Sequence, residues 1–334
     1  MLLKNLHQAT PKKALSFDRT FVKMDTKNRD YVTAQTIQKE EVVNYFINNG
    51  YQVLDIQQLW RHVHGKLEKD NKIFFFKIAS TSSIGERTRN EVSWNKQINQ
   101  LITRSGIDYF ITPKVYETGT FKGKFFYLSD YYVGKLVASK YPPDTKGLKS
   151  WLNKITKTNQ FFLSLQNVTF YRDINSDNLI KKWDGYFQKV NGWYEEVKEN
   201  QLQEVLEIVK ELKTTYKPGV NHGDFVPWHM IQANKKFILI DAEHASSQSP
   251  RYYDICYFFH RLYTSANDPN TAKDYLNKIR DNISNKEKNI FDKAIRPILA
   301  SRIIGGFWDA KNGDLDELKY HQKLKDDLLT NNLY

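Results

Sequence analysis

The most informative stretch of the chain is Asn221-His222-Gly223-Asp224-Phe225-Val226-Pro227-Trp228-His229-Met230, followed by Phe237-Ile238-Leu239-Ile240-Asp241-Ala242-Glu243-His244. It places two carboxylates, Asp224 and Asp241, 17 positions apart, each at the edge of a short apolar strand. Phosphoryl transfer needs one carboxylate that orients the attacking hydroxyl and accepts its proton, and a second that holds magnesium on the nucleotide phosphates. The spacing therefore indicates a phosphoryl-transfer site.

This stretch resembles the aminoglycoside phosphotransferase and choline kinase branch of the protein-kinase-like fold. Members of that branch show His-Gly-Asp, an Asn five residues after that Asp, and then an Ile-Asp-x-Glu strand end. Five positions match: His222, Gly223, Asp224, Asp241 and Glu243. His229 stands at the Asn position. The resemblance covers about residues 36–262, and it implies a two-lobed α+β fold with a small antiparallel β-sheet N-lobe and a mostly helical C-lobe.

Length and composition favour a globular chain with more than one core. A chain of 334 residues exceeds the usual size of one hydrophobic core, and 40% of its residues are apolar. The net charge of +12 would suit nucleic acid, an acidic membrane surface or an anionic nucleotide. Because lysines are scattered among Glu and Asp without a like-charge block, a solvated surface is favoured over a nucleic-acid partner.

The cysteine count and the N-terminus bear on the compartment. Cys256 is the single cysteine, so no intrachain disulfide can form, and its apolar surroundings predict a buried structural thiol. Residues 1–16 contain no apolar signal core, and no run approaches transmembrane length. We expect a soluble cytoplasmic protein with no membrane span. The oligomeric state has no sequence signature.

Three regions are predicted along the chain: an N-terminal extension at 1–34, an N-lobe at 35–130 and a helical C-lobe at 131–334. In the N-lobe, periodicity predicts helices at 34–49 and 84–102 and strands at 51–56, 59–67, 73–78, 115–118 and 125–129. In the C-lobe, the only predicted strands flank His222 and end at Asp241. Helices are predicted at about 252–262 and from 268 to the end.

A lysine that ends an apolar strand indicates where the nucleotide phosphates bind. Lys77 follows Phe74-Phe75-Phe76, and a charge there needs an anionic partner. Glu91 lies 14 residues later on the following helix, with Glu86 as the competing partner. A strand Lys paired with a helix Glu places a positive charge on the α- and β-phosphates in kinases. The resemblance adds backbone near Ser129 and Tyr131 as the adenine contact, with ATP or GTP left open.

The phosphate-binding loop is weakly supported by the sequence. Backbone cradles for phosphate normally contain glycines between the first two strands, and only Gly65 is present there. Arg61, His62 or His64 would supply donors instead, or the segment is an ordinary strand.

The resemblance assigns the remaining roles. Asp224 is the catalytic carboxylate, and His222 supports it by hydrogen bonds to backbone near Asp241, although a role as a base in its own right stays open. Asp254 accepts N–H bonds at the start of the next helix and braces the loop. The metal ligands are Asp241, His229 and Glu243. Imidazole suits manganese or zinc better than magnesium, so the expected cofactors are ATP and magnesium, with manganese as the alternative metal.

The acceptor is set by a helical insert at about 142–216. Its aromatic residues either stack on a sugar or choline-like cation, or form core: Trp183, Tyr186, Trp193 and Tyr194. The sequence therefore predicts an ATP-dependent kinase that acts on a hydroxyl of a small molecule such as an amino sugar, a sugar or a choline-like alcohol. A catalytically impaired nucleotide-binding module and a basic nucleic-acid-binding protein are the alternatives.

Overall fold

The computed structural model describes residues 34–59, 61–140, 142–175, 183–313 and 315–334. The predicted N-terminal extension lies outside these residues except for its last position, Ala34. The described chain folds into a sheet-rich small lobe and a helical large lobe, so the predicted two-lobed α+β fold is confirmed.

The strands of the described residues are β1 (Gln52–Leu59), β2 (His62–Lys69), β3 (Lys72–Ala79), β4 (Phe110–Ile111), β5 (Val115–Phe121), β6 (Lys124–Asp130), β7 (Ser139–Lys140), β8 (Pro143–Asp144), β9 (Pro218–Asn221), β10 (Met230–Ala233), β11 (Lys236–Leu239) and β12 (Ser246–Pro250). The helices are α1 (Lys39–Asn48), α2 (Ser82–Arg104), α3 (Leu152–Ser164), α4 (Tyr171–Asn175), α5 (Trp183–Val197), α6 (Gln203–Lys210), α7 (Leu212–Thr215), α8 (Tyr253–Thr264), α9 (Pro269–Asp281), α10 (Asn285–Lys311) and α11 (Leu318–Leu329).

The small lobe is built on a five-stranded antiparallel sheet in the order β1-β2-β3-β6-β5. Helix α1 covers one face of the sheet, where Val42 and Phe46 pack on Phe76 of β3 and Phe126 of β6. The rings of Phe46 and Phe76 lie 4.9 Å apart. Because side chains alternate between the two faces of a strand, Lys77 faces away from this core and toward the cleft between the lobes.

Two strand boundaries differ from the predicted ones. The chain was expected to turn at residues 57–58, but β1 continues to Leu59 and the turn falls just before His62. Between the strands predicted at 115–118 and 125–129, the chain turns on a tight pair, Lys122 and Gly123, with φ of 48° and 75°. Two consecutive positive φ values match the right-handed twist of a hairpin and need no longer loop, so β5 extends to Phe121.

The large lobe contains more strands than the sequence predicts. The expected catalytic hairpin is present as β10 and β11, but β12 also pairs with β9, and β7 pairs with β8. In addition, Phe110 and Ile111 of β4 join β11 in parallel. These strands have two to five residues, which is too short for a period-2 pattern to register. The predicted helical region from 268 to the end comprises three helices, α9, α10 and α11.

Helix α2 runs between the two lobes. Its Trp94 is fully buried in the core of the large lobe, with the ring centroid 5.0 Å from that of Phe170. Asn90 donates to the Ala245 carbonyl at 2.9 Å and accepts from the Arg172 N–H at 2.9 Å. The helix that carries Glu91 is therefore fastened to the large lobe. The domain boundary at residue 130 stays a prediction.

No described helix is both long enough and apolar enough to span a membrane. Cys256 is buried in α8, with its Sγ 3.7 Å from the Ile295 carbonyl, as a structural thiol would be.

Candidate active site

The loop between β9 and β10 is shaped by a glycine and a buried carboxylate. Gly223 has a φ of +83°, and a Cβ there would lie 2.2 Å from the His244 carbonyl oxygen, so a larger residue cannot be placed without moving backbone. Asp254, in the first turn of α8, accepts the N–H groups of His222 at 2.6 Å and Gly223 at 2.9 Å. Burial raises the pKa of Asp254 to about 7, while these two bonds oppose the rise. Together they fix the direction of Asp224.

His222 is fully buried beneath this loop. Its Nδ1 accepts the backbone N–H of Asp224 at 3.4 Å, and its ring meets the edge of Trp94 at 5.4 Å between centroids. Burial and the neighbouring His229 lower the pKa of His222 to about 3, so the imidazole is neutral. This environment suits a residue that holds the loop rather than one that removes a proton from substrate.

Lys77 joins the two lobes electrostatically. Its Nζ lies 2.8 Å from Glu91 Oε2 and 3.0 Å from Asp241 Oδ1. Burial alone would lower the pKa of Lys77, but Asp241 and Glu91 outweigh it and hold the ammonium charged. Glu86, the competing partner considered from the sequence, lies instead 3.8 Å from Arg89 on the exposed side of α2.

Asp224, His229 and Asp241 form one cluster. Each offers a ligand atom, and these atoms lie within 4.8 Å of one another. His229 Nδ1 lies 3.0 Å from the backbone oxygen of Asp224, and its Nε2 lies 3.6 Å from Asp241 Oδ2. Burial would lower the pKa of His229, but the carboxylates of Asp224 and Asp241 outweigh it and raise the pKa. Two carboxylates and an imidazole at this spacing fit a divalent cation.

Glu243 is not brought into this cluster. Its carboxylate is 2% exposed and accepts a hydrogen bond from Arg61, which reaches down from the turn before β2. Burial and the charge of Asp241 raise the pKa of Glu243. Glu243 stays a predicted metal ligand: Arg61 holds its Oε1, and its buried Oε2 has no hydrogen-bond partner among the described residues.

The three phosphate donors considered from the sequence occupy different places. Arg61 reaches the cleft, whereas His62 is buried with its Nε2 3.1 Å from the Thr88 hydroxyl. His64 lies opposite Lys77 in the β2–β3 ladder, and burial together with Lys77 lowers its pKa to about 4. A Cβ on Gly65 would lie 1.9 Å from the Asp55 carbonyl, so this glycine serves the close approach of β1 and β2.

The predicted adenine contacts lie where β6 leaves the sheet. Ser129 is buried inside β6, opposite Phe75 on one side and Val115 on the other. Tyr131 follows the strand directly, and Lys66 Nζ lies 5.0 Å from its ring centroid. Because the backbone of Tyr131 lies outside the hydrogen-bonded strands, it is better placed than that of Ser129 to contact an adenine ring.

A cavity of about 430 Å³ opens beside Asp224, between α4, α5, α8 and α10. The four aromatics singled out in the insert all belong to the large-lobe core or pack against it, and two of them, Tyr186 and Trp193, also line the cavity. The sequence reading missed Arg302, Tyr253 and Tyr257, which also line the cavity. Arg302 could have been found, because it is a single charge inside an apolar helical run, the signal that identified Lys77.

Comparison with known proteins places this geometry in a known fold. No protein-family model matches the chain, and no curated protein sequence matches it. Solved structures do. Aminoglycoside phosphotransferase APH(4)-Ia, as a thermostable mutant with ADP and hygromycin B, is 12% identical with a TM-score of 0.60, covering 87% of this chain and 98% of that chain.

Two further solved structures are similar. Aminoglycoside 2'-phosphotransferase-IIIa with GDP is 12% identical with a TM-score of 0.56, covering 88% of this chain and 98% of that one. Choline kinase LicA from Streptococcus pneumoniae is 16% identical with a TM-score of 0.52, covering 87% of this chain and 99% of that one. At such identities the likeness establishes the fold, and the predicted resemblance to this kinase-like group is confirmed at that level.

Proposed function

We propose that the protein is a phosphotransferase that moves the γ-phosphoryl group of ATP to a hydroxyl of a small molecule. One observation carries the proposal: Lys77 is held at 2.8 Å from Glu91 and 3.0 Å from Asp241, directly beside the Asp224–His229–Asp241 cluster. The phosphate-binding cation, the metal-binding carboxylate and the catalytic carboxylate thus converge in one cleft, at the mouth of a cavity large enough for a small acceptor.

The nucleotide-binding roles follow from position. Lys77 would bring its charge to the α- and β-phosphates, and Glu91 would orient Lys77 without touching phosphate. Arg61 is the second cation that reaches the cleft from the sheet, and a phosphate would compete with Glu243 for it. The backbone at Tyr131 would form hydrogen bonds to the adenine base.

The transfer step requires a hydroxyl at Asp224. The acceptor oxygen attacks the γ-phosphorus, the bond from that phosphorus to the β,γ-bridging oxygen breaks, and ADP leaves with the bonding electron pair. The hydroxyl proton passes to the Asp224 carboxylate. A divalent cation, for which Asp241 and His229 are the ligands at hand and Glu243 a further candidate, would neutralise phosphate charge when bound.

Two of the similar structures support nucleotide use, since one was solved with ADP and the other with GDP. A second candidate, a nucleotide-binding module without turnover, is supported by His229. This imidazole lies between the carboxylates of Asp224 and Asp241, which raise its pKa, and in its protonated form it would pair with them in place of a metal ion.

Asp224→Asn tests the proposal. We expect calorimetry to find ATP affinity within a few-fold of wild type, and the release of ADP with magnesium or manganese to fall by about 10²-fold or more, because the lost group acts mainly in the transition state. Asp327→Asn is the control, since Asp327 is a buried, hydrogen-bonded aspartate far from the cleft in sequence. ADP release at the wild-type rate in Asp224→Asn removes Asp224 from the catalytic role. Wild type that binds ATP but never releases ADP supports the module without turnover.

A further inference from the structure

The cavity that Asp224 lines also carries a buried arginine. Arg302 of α10 is 8% exposed, and its Nε has no hydrogen-bond partner among the described residues. Those residues also include no salt-bridge partner for its guanidinium. Its neighbours are aromatic: the guanidinium carbon lies 5.0 Å from the ring centroid of Tyr257 and 5.5 Å from that of Trp193. A buried charge without an anionic partner is costly, and a ligand anion would relieve that cost.

Two of the three acidic residues that line the cavity, Asp173 and Asp224, are engaged elsewhere. Asp173 is occupied by the hydroxyls of Ser246 and Ser247 and by the Ser247 N–H, all within 2.9 Å. Asp224 faces His229 and is assigned to the acceptor hydroxyl. Burial lowers the pKa of Arg302, but Tyr253, Tyr257 and Asp309 outweigh that effect and raise it. The guanidinium therefore stays charged, and Asp309 contributes to its electrostatic surroundings.

The aromatic neighbours do not replace an anion. The ring faces of Trp193 and Tyr257 attract the cation but are not oxygen acceptors for its N–H groups. A guanidinium edge binds carboxylate or phosphate through two parallel hydrogen bonds. Lys189 and Arg172 at the same cavity add positive charge.

We propose that the acceptor is an anionic hydroxy compound, whose carboxylate or phosphate binds Arg302 while its hydroxyl reaches Asp224. This inference rests on the proposed function and narrows its acceptor class. It disfavours the amino sugars and choline-like cations expected from the sequence, because a cationic group would be repelled by Arg302.

The test uses four probes with one ring and different head groups: benzoate, phenyl phosphate, benzyl alcohol and benzylammonium. Each is titrated calorimetrically into the full chain without nucleotide. We expect one or both anions to bind about tenfold or more tightly than benzyl alcohol, and benzylammonium no better than benzyl alcohol. The better of the two anions identifies carboxylate or phosphate as the recognised group.

Variants locate the binding. Arg302→Met should abolish the preference for anions, and Arg302→Lys should keep part of it. Arg296→Met, on the same helix and paired with Glu211 at 3.1 Å, is the matched control and should leave it intact. Asp309→Asn should strengthen anion binding roughly two- to fivefold, an effect that a purely structural role for Arg302 would not produce.

Lys77→Met distinguishes anion binding in the cavity from anion binding at the nucleotide phosphate site, which would also attract the probes. Anion binding that survives Lys77→Met and is lost in Arg302→Met supports the cavity site even if no turnover is found. Anion binding that is lost in Lys77→Met and kept in Arg302→Met overturns the inference. Wild type that prefers benzyl alcohol or benzylammonium to both anions overturns it as well.

Discussion

Replacing Lys77 by Met removes a charge from the cleft while keeping an unbranched apolar stem. Glu91, which is 4% exposed, is left as a buried carboxylate without the ammonium that lay at 2.8 Å. The side chain of Asp241 is 34% exposed and can turn to water instead. Removing one partner of a buried ion pair costs about 3–5 kcal/mol of unfolding free energy. We therefore expect urea denaturation to show a loss of about that size.

Nucleotide affinity should fall for a separate reason. A hydrogen bond to a charged group contributes about 1.5–3 kcal/mol, which corresponds to roughly 10- to 150-fold in the dissociation constant. The double variant Lys77→Met/Glu91→Leu distinguishes the two effects. Because an apolar pair can replace a buried ion pair at little cost, it should regain most of the stability and none of the ATP affinity.

The pH dependence of the stability of Lys77→Met follows from the titration of Glu91. Burial already raises its pKa above the ordinary value of 4.5 against the opposition of Lys77, and without Lys77 the rise is larger. A carboxyl with a raised folded-state pKa takes up a proton on folding. The stability deficit of Lys77→Met is therefore smallest near pH 4.5 and grows as pH rises through the folded-state pKa.

Lys325→Met is the matched control for both measurements. Lys325 is 6% exposed in α11 and donates to Gln201 at 3.0 Å, so its loss should lower stability and leave calorimetric ATP binding unchanged. ATP affinity that is unchanged in Lys77→Met, or that returns in the double variant, would refute a phosphate-binding role and leave Lys77 as a structural cation.

Three further substitutions test the loop. His229→Asn should raise the ratio of magnesium- to manganese-supported ADP release, because magnesium prefers an oxygen ligand; an unchanged ratio excludes His229 from the metal site. Gly223→Ala should cut turnover at least tenfold, whereas Gly106→Ala, also at positive φ but in open space, should cost only about 1 kcal/mol of stability. Asp254→Asn should lose about 1–3 kcal/mol in urea denaturation, because one buried N–H loses its acceptor; wild-type stability would contradict that bracing role.

The loop and the lysine could be predicted from the sequence because their signals are local. Asp224 and Asp241 follow short apolar strands, and Lys77 is a charge at the end of an apolar run. A charge in such a run must be paired in the folded state, whatever the remaining chain does. The same argument, applied to Arg302, would have located the cavity beside Asp224.

The features that the sequence did not predict depend on contacts between distant segments of the chain. Arg61 and Glu243 are 182 positions apart, and no pattern in either segment signals that they meet. The strand pairing of Phe110 and Ile111 with β11 is two residues long, below what periodicity can detect. The cavity is formed where α5, α8 and α10 pack, so its lining follows from helix packing rather than from the sequence of any one helix.

Helix α2 contacts both lobes, because Asn90 bonds to the large lobe while Val92 packs on the sheet of the small lobe. The ion pairs Lys77–Asp241 and Arg61–Glu243 also cross from one lobe to the other. Because nucleotide phosphates would compete for both cations, nucleotide entry would exchange links between the lobes instead of adding to them.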